Sequence, residues 1–148
     1  MIGIAGTLGV VLLVMVCLLW GGTRASREGE QYADAVIPKI VSRWELAQVE
    51  SRAYQPMTAT ERAQGKALFR KCKTLGKLKT YYGAHGHAVL HHHDDVSRSI
   101  GTDTVIIGEY IARADFQAGP ADITLRLVKI DERWRISGIT VNSDVFFR

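Results

Sequence analysis

Two cysteines are all that the 148 residues contain, and Cys17 falls in an apolar stretch, leaving Cys72 alone in the polar remainder. No internal disulfide can staple that remainder, so its core has to hold by packing alone. Cys72 itself fits a small buried helix residue better than a reactive thiol. Catalytic signatures are missing too: there is no Ser-His-Asp order, no Gly-rich phosphate loop and no pair of matched carboxylates, which argues against an enzyme. Internal repeats and low-complexity tracts are absent. The net charge of +4 is mild and does not by itself imply nucleic acid as a partner.

Charge is wholly absent from Ile2 to Thr23. About 20 helical residues cross a bilayer core of roughly 30 Å, so residues 1–23 are expected to form a transmembrane anchor in contact with lipid through residues 2–23. A cleaved signal peptide is the weaker reading. The run exceeds a signal h-region, no Lys or Arg precedes it, and the best small-residue cleavage site, Thr23-Arg24-Ala25, has Thr where Ala is preferred. Val16 before Cys17 speaks against a lipoprotein cysteine. Trp20 suits the membrane interface. Ala5 and Gly9 offer a small-xxx-small face for helix pairing, and hence a homodimer. Arg24 and Arg27 follow the span, and by the positive-inside rule this favours a cytoplasmic C-terminal domain.

Residues 24–30 read as a polar connector and residues 31–148 as one α+β domain. Ala33, Val36, Ile37, Ile40, Val41, Trp44 and Ala47 recur at three- and four-residue steps, the apolar face of a helix in which Pro38 must open or kink the structure. Thr58-Ala59-Thr60-Glu61 is a capping box opening a second helix to about Leu75, with Leu68, Cys72 and Leu75 on one side and Gly76 as its stop. The period then changes to two. Ile123, Leu125 and Leu127 alternate with polar residues, and the stretch from Val105 to Phe116 has two faces, one of Tyr110, Ala112, Ala114 and Phe116. Turns fall at Gln117–Pro120 and Asp131–Arg133. With the segment from Ala84 to His93 as first strand, the expectation is helices on one face of a curved four-stranded antiparallel sheet.

The stretches AVIPKIVSRW (35–44), LGKLKTYYG (75–83), YIARADFQAGPADITLRLVK (110–129) and WRISGITVNS (134–143) resemble the nuclear transport factor 2-like, or cystatin-like, superfamily, in particular small membrane-anchored bacterial proteins of unknown function. The likeness covers roughly residues 31–146 and consists of packing and turn patterns. Asp131-Glu132 departs from the Gly-containing turn that relatives often carry. The resemblance implies a cone-shaped fold that often encloses a pocket between sheet and helices. It also implies a single-pass inner-membrane protein with a periplasmic domain, against the charge count.

Pocket candidates on this reading are Trp44, Tyr81, Tyr110, Glu109, Asp115 and Trp134, with Glu109 and Asp115 the acid or base of the alternative, enzymatic reading. His85, His87, His91 and His93 share one face of a strand and are the metal candidates. The simpler reading is an exposed strand running into the polar turn at Asp94-Asp95, because metal sites draw ligands from several elements. Lys66, Arg70, Lys71, Lys73, Lys77 and Lys79 form a basic run that suits a membrane surface, although a solvated helix face explains it more simply. No cofactor and no nucleic-acid partner is expected. The function expected is a membrane-anchored, non-catalytic module that presents its domain to a partner protein or small ligand.

Overall fold

The computed structural model describes residues 23–92 and 104–148. Residues 23–41 form one helix, α1, followed by α2 (Leu46–Glu50), α3 (Ala59–Cys72) and a 3-10 turn (Lys73–Leu75). Four strands follow, β1 (Leu78–His92), β2 (Thr104–Phe116), β3 (Pro120–Ile130) and β4 (Arg133–Asn142), then a closing 3-10 turn, Asp144–Phe147. The strands pair antiparallel in the order β1-β2-β3-β4, so the domain is α+β with an open four-stranded sheet.

Two expectations change at the first helix. The supposed connector, residues 24–30, is helical, and it forms the opening turns of α1. The helix also stops at residue 41 rather than running to Ala47. Pro38 is accommodated inside α1, whereas the break comes at Trp44, in the left-handed region at φ 54°. Its N–H donates to the Ile40 carbonyl at 2.8 Å, a left-handed helix stop that a bulky residue adopts only when packing repays the strain. That packing is present: the buried Trp44 ring meets Phe69 edge-on at 5.5 Å and Phe116 at 5.8 Å.

The expected transmembrane span lies, except for Thr23, outside the described residues, as do Cys17, Trp20, the Ala5/Gly9 face, His93 and the Asp94-Asp95 turn. Among the described residues no helix is long and apolar enough to cross a membrane.

The capping box is made as its spacing predicts. The Glu61 N–H donates to Thr58 Oγ1 at 3.1 Å, and the Thr58 N–H donates to Glu61 Oε2 at 3.0 Å. Ala33, Val36, Ile37, Ile40 and Val41 are buried against the sheet face carrying Tyr110, Ala112, Ala114, Phe116, Ile123, Leu125 and Leu127. Cys72 is buried in the same core, and loss of hydration pushes its thiol up to about 12, which makes it inert. The β3–β4 turn holds Asp131 (φ 48°) and Glu132 (φ 62°) both left-handed, as a two-residue hairpin joining twisted strands requires.

Helix α1 also covers the outer edge of β1. Asp34 Oδ1 accepts from the Ala84 N–H at 2.8 Å and from the Tyr81 hydroxyl at 2.9 Å. Ser26 Oγ accepts from the Ala88 N–H at 2.9 Å. Two amides that would otherwise form an exposed pairing edge are thereby satisfied by the helix. Burial, followed by the Asp34 hydrogen bond and charge, drives the Tyr81 pKa well above its ordinary value. Replacing Asp34 by alanine strands the Ala84 donor and is expected to cost about 1–3 kcal/mol in denaturant unfolding. The Tyr81 phenol should also ionise at lower pH, which ultraviolet titration would show; an unchanged titration curve would refute the contact.

Candidate functional site

The opposite side of the sheet ends differently. At β4, Ile136 turns its N–H and C=O away from β3, to the Arg52 carbonyl at 2.7 Å and the Tyr54 N–H at 2.8 Å. A short parallel bridge, Ala53 to Ile136, results. Leu127, the β3 partner of Ile136, shares its hydrogen-bonding direction with Leu125 and Ile123, because alternate residues of an antiparallel strand bond to the same neighbour. Their partners Ile139 and Val141 therefore also direct N–H and C=O outward, past the one register slip at Arg126/Leu127. Residues 52–54 cover only the first step of this edge.

A cleft of about 540 Å³ opens beside this edge and reaches along it as far as Ile139. One wall is β4 from Ile136 to Ile139; the other is α3, with Glu61, Gln64, Gly65, Leu68 and Phe69. Leu46 and Val49 of α2 close the floor, and Tyr54 and Met57 close one end. Gly65 has a packing reason here: a Cβ would stand 2.8 Å from Leu46 Cδ1, so the small residue lets α2 and α3 come together below the cleft. The lining sets apolar side chains beside Gln55, Glu61, Gln64 and Ser137, the mixed character of a ligand cleft.

None of the six pocket candidates lines this cleft. Trp44 is core. Tyr110 is fully buried beneath α1, where its hydroxyl donates to the Ser26 carbonyl at 2.9 Å; burial, with the Glu30 charge adding to it, pushes its pKa up to about 12. Tyr81 serves the β1 edge. Trp134 is half-buried near the Lys129 ammonium, 5.7 Å from its ring centroid. Glu109 and Asp115 lie on the sheet face turned away from the helices. Glu109 pairs with Arg126 at 3.0 Å, and Asp115 accepts from the Tyr82 hydroxyl. Arg113, on the same face, pairs with Asp122 at 3.7 Å. The carboxylates of the enzymatic reading thus face solvent outside the cleft.

His85, His87 and His91 do share that outer face, all exposed, opposite Ile111, Glu109 and Val105 of β2. Two imidazoles two apart on a strand, about 6.6 Å between their Cα atoms, can reach one ion, but a site needs further ligands and these normally come from another element. Cys72 is buried on the other side of the sheet. Among the described residues no group of three or more His, Cys, Asp or Glu side chains could hold a metal ion.

Lys66, Arg70, Lys71, Lys73, Lys77 and Lys79 are all exposed, and none forms an ion pair among the described residues. Lys71 marks the end of the domain that holds the closing 3-10 turn, 5.0 Å from the Phe146 ring centroid and 5.7 Å from that of Phe147. The start of α1 lies at the other end, where Glu28 receives Lys129 at 2.8 Å. Nineteen helical residues put about 28 Å between those ends.

Sequence reasoning passed over the cleft because its residues come from four separate segments. Tyr54 and Met57, two large apolar residues flanking Gln55-Pro56 in an irregular stretch, were the available signal. No family model, no curated protein and no solved structure matches the chain.

Proposed function

We propose that this protein is a membrane-anchored, non-catalytic binding module whose domain holds an extended, apolar segment of a partner protein in the cleft between α3 and β4. One observation carries the reading: a largely apolar cleft lies against β4, and Ile139, which lines it, stands in the register at which N–H and C=O point outward. A segment lying there gains main-chain hydrogen bonds from β4 and side-chain pockets from α3, the two sources of affinity in strand addition. The parallel bridge at Ala53 supports this, since the same edge already takes up an extended segment of its own chain.

The bilayer is reached through residues 2–23, whose uncharged run is the support for an anchor. The element order suits the cystatin-like resemblance, and with it a single-pass inner-membrane protein with a periplasmic domain. Alkaline carbonate extraction should leave the full chain in the membrane pellet, and a C-terminal alkaline phosphatase fusion should be active. Release into the supernatant would remove the anchor, and an inactive fusion would place the domain in the cytoplasm as the Arg24/Arg27 count has it.

The cleft is tested with the full chain in detergent micelles and a random octapeptide display library. Enriched peptides should alternate apolar residues and slow amide exchange at Ile139 and Val141. Leu68→Trp, which fills the cleft from a half-buried position, should weaken them by about tenfold or more, equivalent to about 1.4 kcal/mol. Failure to enrich any peptide, or indifference to Leu68→Trp, would sink the reading.

A further inference from the structure

We infer that the segment held in the cleft carries an acidic side chain, and that this carboxylate docks at the Lys71 end of α3, beside Phe146 and Phe147. The inference rests on the cleft reading and adds the chemistry and polarity of its occupant. Leu68 lines the cleft, and Lys71, three residues on, follows it along the same side of the helix. The two rings beneath the Lys71 ammonium come from the 3-10 turn Asp144–Phe147, which directly follows β4. Both walls of the cleft, α3 and β4, therefore converge on this cation. At the other end the rim carries Glu61 and Gln64.

The cleft is thus electrically polar: a carboxylate lies near the start of α3 and an ammonium near its end. Ten residues separate Glu61 from Lys71, about 15 Å of helix. That span accommodates roughly four to five residues of extended chain at about 3.3 Å each. Such a segment would have its apolar side chains over Leu68, Phe69 and Ile139 and one end at Lys71.

Charge complementarity decides what that end carries. The six basic residues of this run exceed the chain's net charge of +4, so the rest of the chain is net acidic and the run is a local cationic excess. None of the six is neutralised by an ion pair among the described residues. Phe147, 81% exposed, presents apolar area next to the charge, which suits the stem of an aspartate or glutamate as well as its head. An anionic lipid headgroup has the same charge, but α1 alone is about 28 Å long and starts at the opposite end of the domain, where an anchor preceding it would enter the bilayer. An acidic position in a partner's segment is the occupant that the geometry favours.

The test is the same octapeptide library panned on the full chain and on Lys71→Glu and Lys71→Arg, each first checked for unchanged thermal unfolding. Wild type and Lys71→Arg should enrich peptides with Asp or Glu near one end, and Lys71→Glu should replace that position by Lys or Arg. For a fixed acidic peptide, Lys71→Glu should lower affinity about tenfold or more, and added salt should weaken binding to the wild type. Enrichment of apolar peptides with no charged position, still sensitive to Leu68→Trp, would overturn this inference and leave the cleft reading standing. No enrichment on any variant would overturn both.

Discussion

Gly86→Ala is expected to lower the unfolding midpoint of the domain by about 10 °C or more, with a cost of about 3 kcal/mol or greater. A Cβ at this position would stand 2.0 Å from the Glu109 carbonyl oxygen and 2.8 Å from the Tyr110 Cα. Both obstacles are backbone atoms of β2, so no rotamer change relieves them and the two strands must move apart. The consequence spreads because Gly86 lies midway between Ala84 and Ala88, the two amides that Asp34 and Ser26 hold to α1. Gly138→Ala is the control, since its nearest neighbour would be an Arg126 side-chain carbon at 3.7 Å. Circular-dichroism melting of the two variants should separate them clearly. A Gly86→Ala melt like that of the wild type would mean that β1 does not approach β2 this closely.

Tyr110→Ala should be comparably damaging, at about 3–5 kcal/mol, the range for removing a large aromatic from a core. Tyr110 is fully buried in a slot made by two glycines: a Cβ at Gly29 would fall on its hydroxyl, and one at Gly108 would stand 2.6 Å from its ring. The ring therefore fills the space between α1 and the sheet that neither glycine fills. Tyr110→Phe keeps the ring and loses only the hydrogen bond to the Ser26 carbonyl, so it should cost about 1 kcal/mol. Chemical denaturation of both variants measures the difference. Equal losses would mean that the hydroxyl rather than the ring holds the helix to the sheet.

Both predictions concern places where a sequence pattern marks an element but not its contacts. The alternation from Val105 to Phe116 put Tyr110 on the buried face, and the structure agrees. What lay above it was not readable, because residues 24–30 look polar enough for a connector. In the fold Ser26 contributes through its hydroxyl and its carbonyl, and Gly29 through its small size, and neither adds to an apolar pattern. The stop at Trp44 was hidden for the reverse reason: its apolar character continues the helical face that its left-handed backbone ends.

The candidate site shows the same division more sharply. Glu109, Asp115 and the histidines were singled out for their chemistry, and alternation correctly put Glu109 with Arg113 on the face opposite Tyr110. That face proved to be the one that no helix among the described residues covers. The cleft instead gathers Leu46, Tyr54, Met57, Leu68, Phe69, Ile136 and Ile139, ordinary apolar residues drawn from α2, its following turn, α3 and β4.

The amino-acid sequence by itself determined the α+β class, the capping box at Thr58, the antiparallel meander and the buried faces of β2 and β3. These follow from side-chain periodicity and local hydrogen bonding, which act over a few neighbouring residues. Only the tertiary structure decided which strand edge is closed and which is open. Ser26 and Asp34 satisfy β1 from more than 45 residues away in the chain, whereas residues 52–54 satisfy β4 for a single step. The open remainder of β4, together with α3 and the Lys71 cation beyond it, makes the cleft. Its existence depends on the distance between elements brought together by packing, and spacing along the chain does not encode that distance locally.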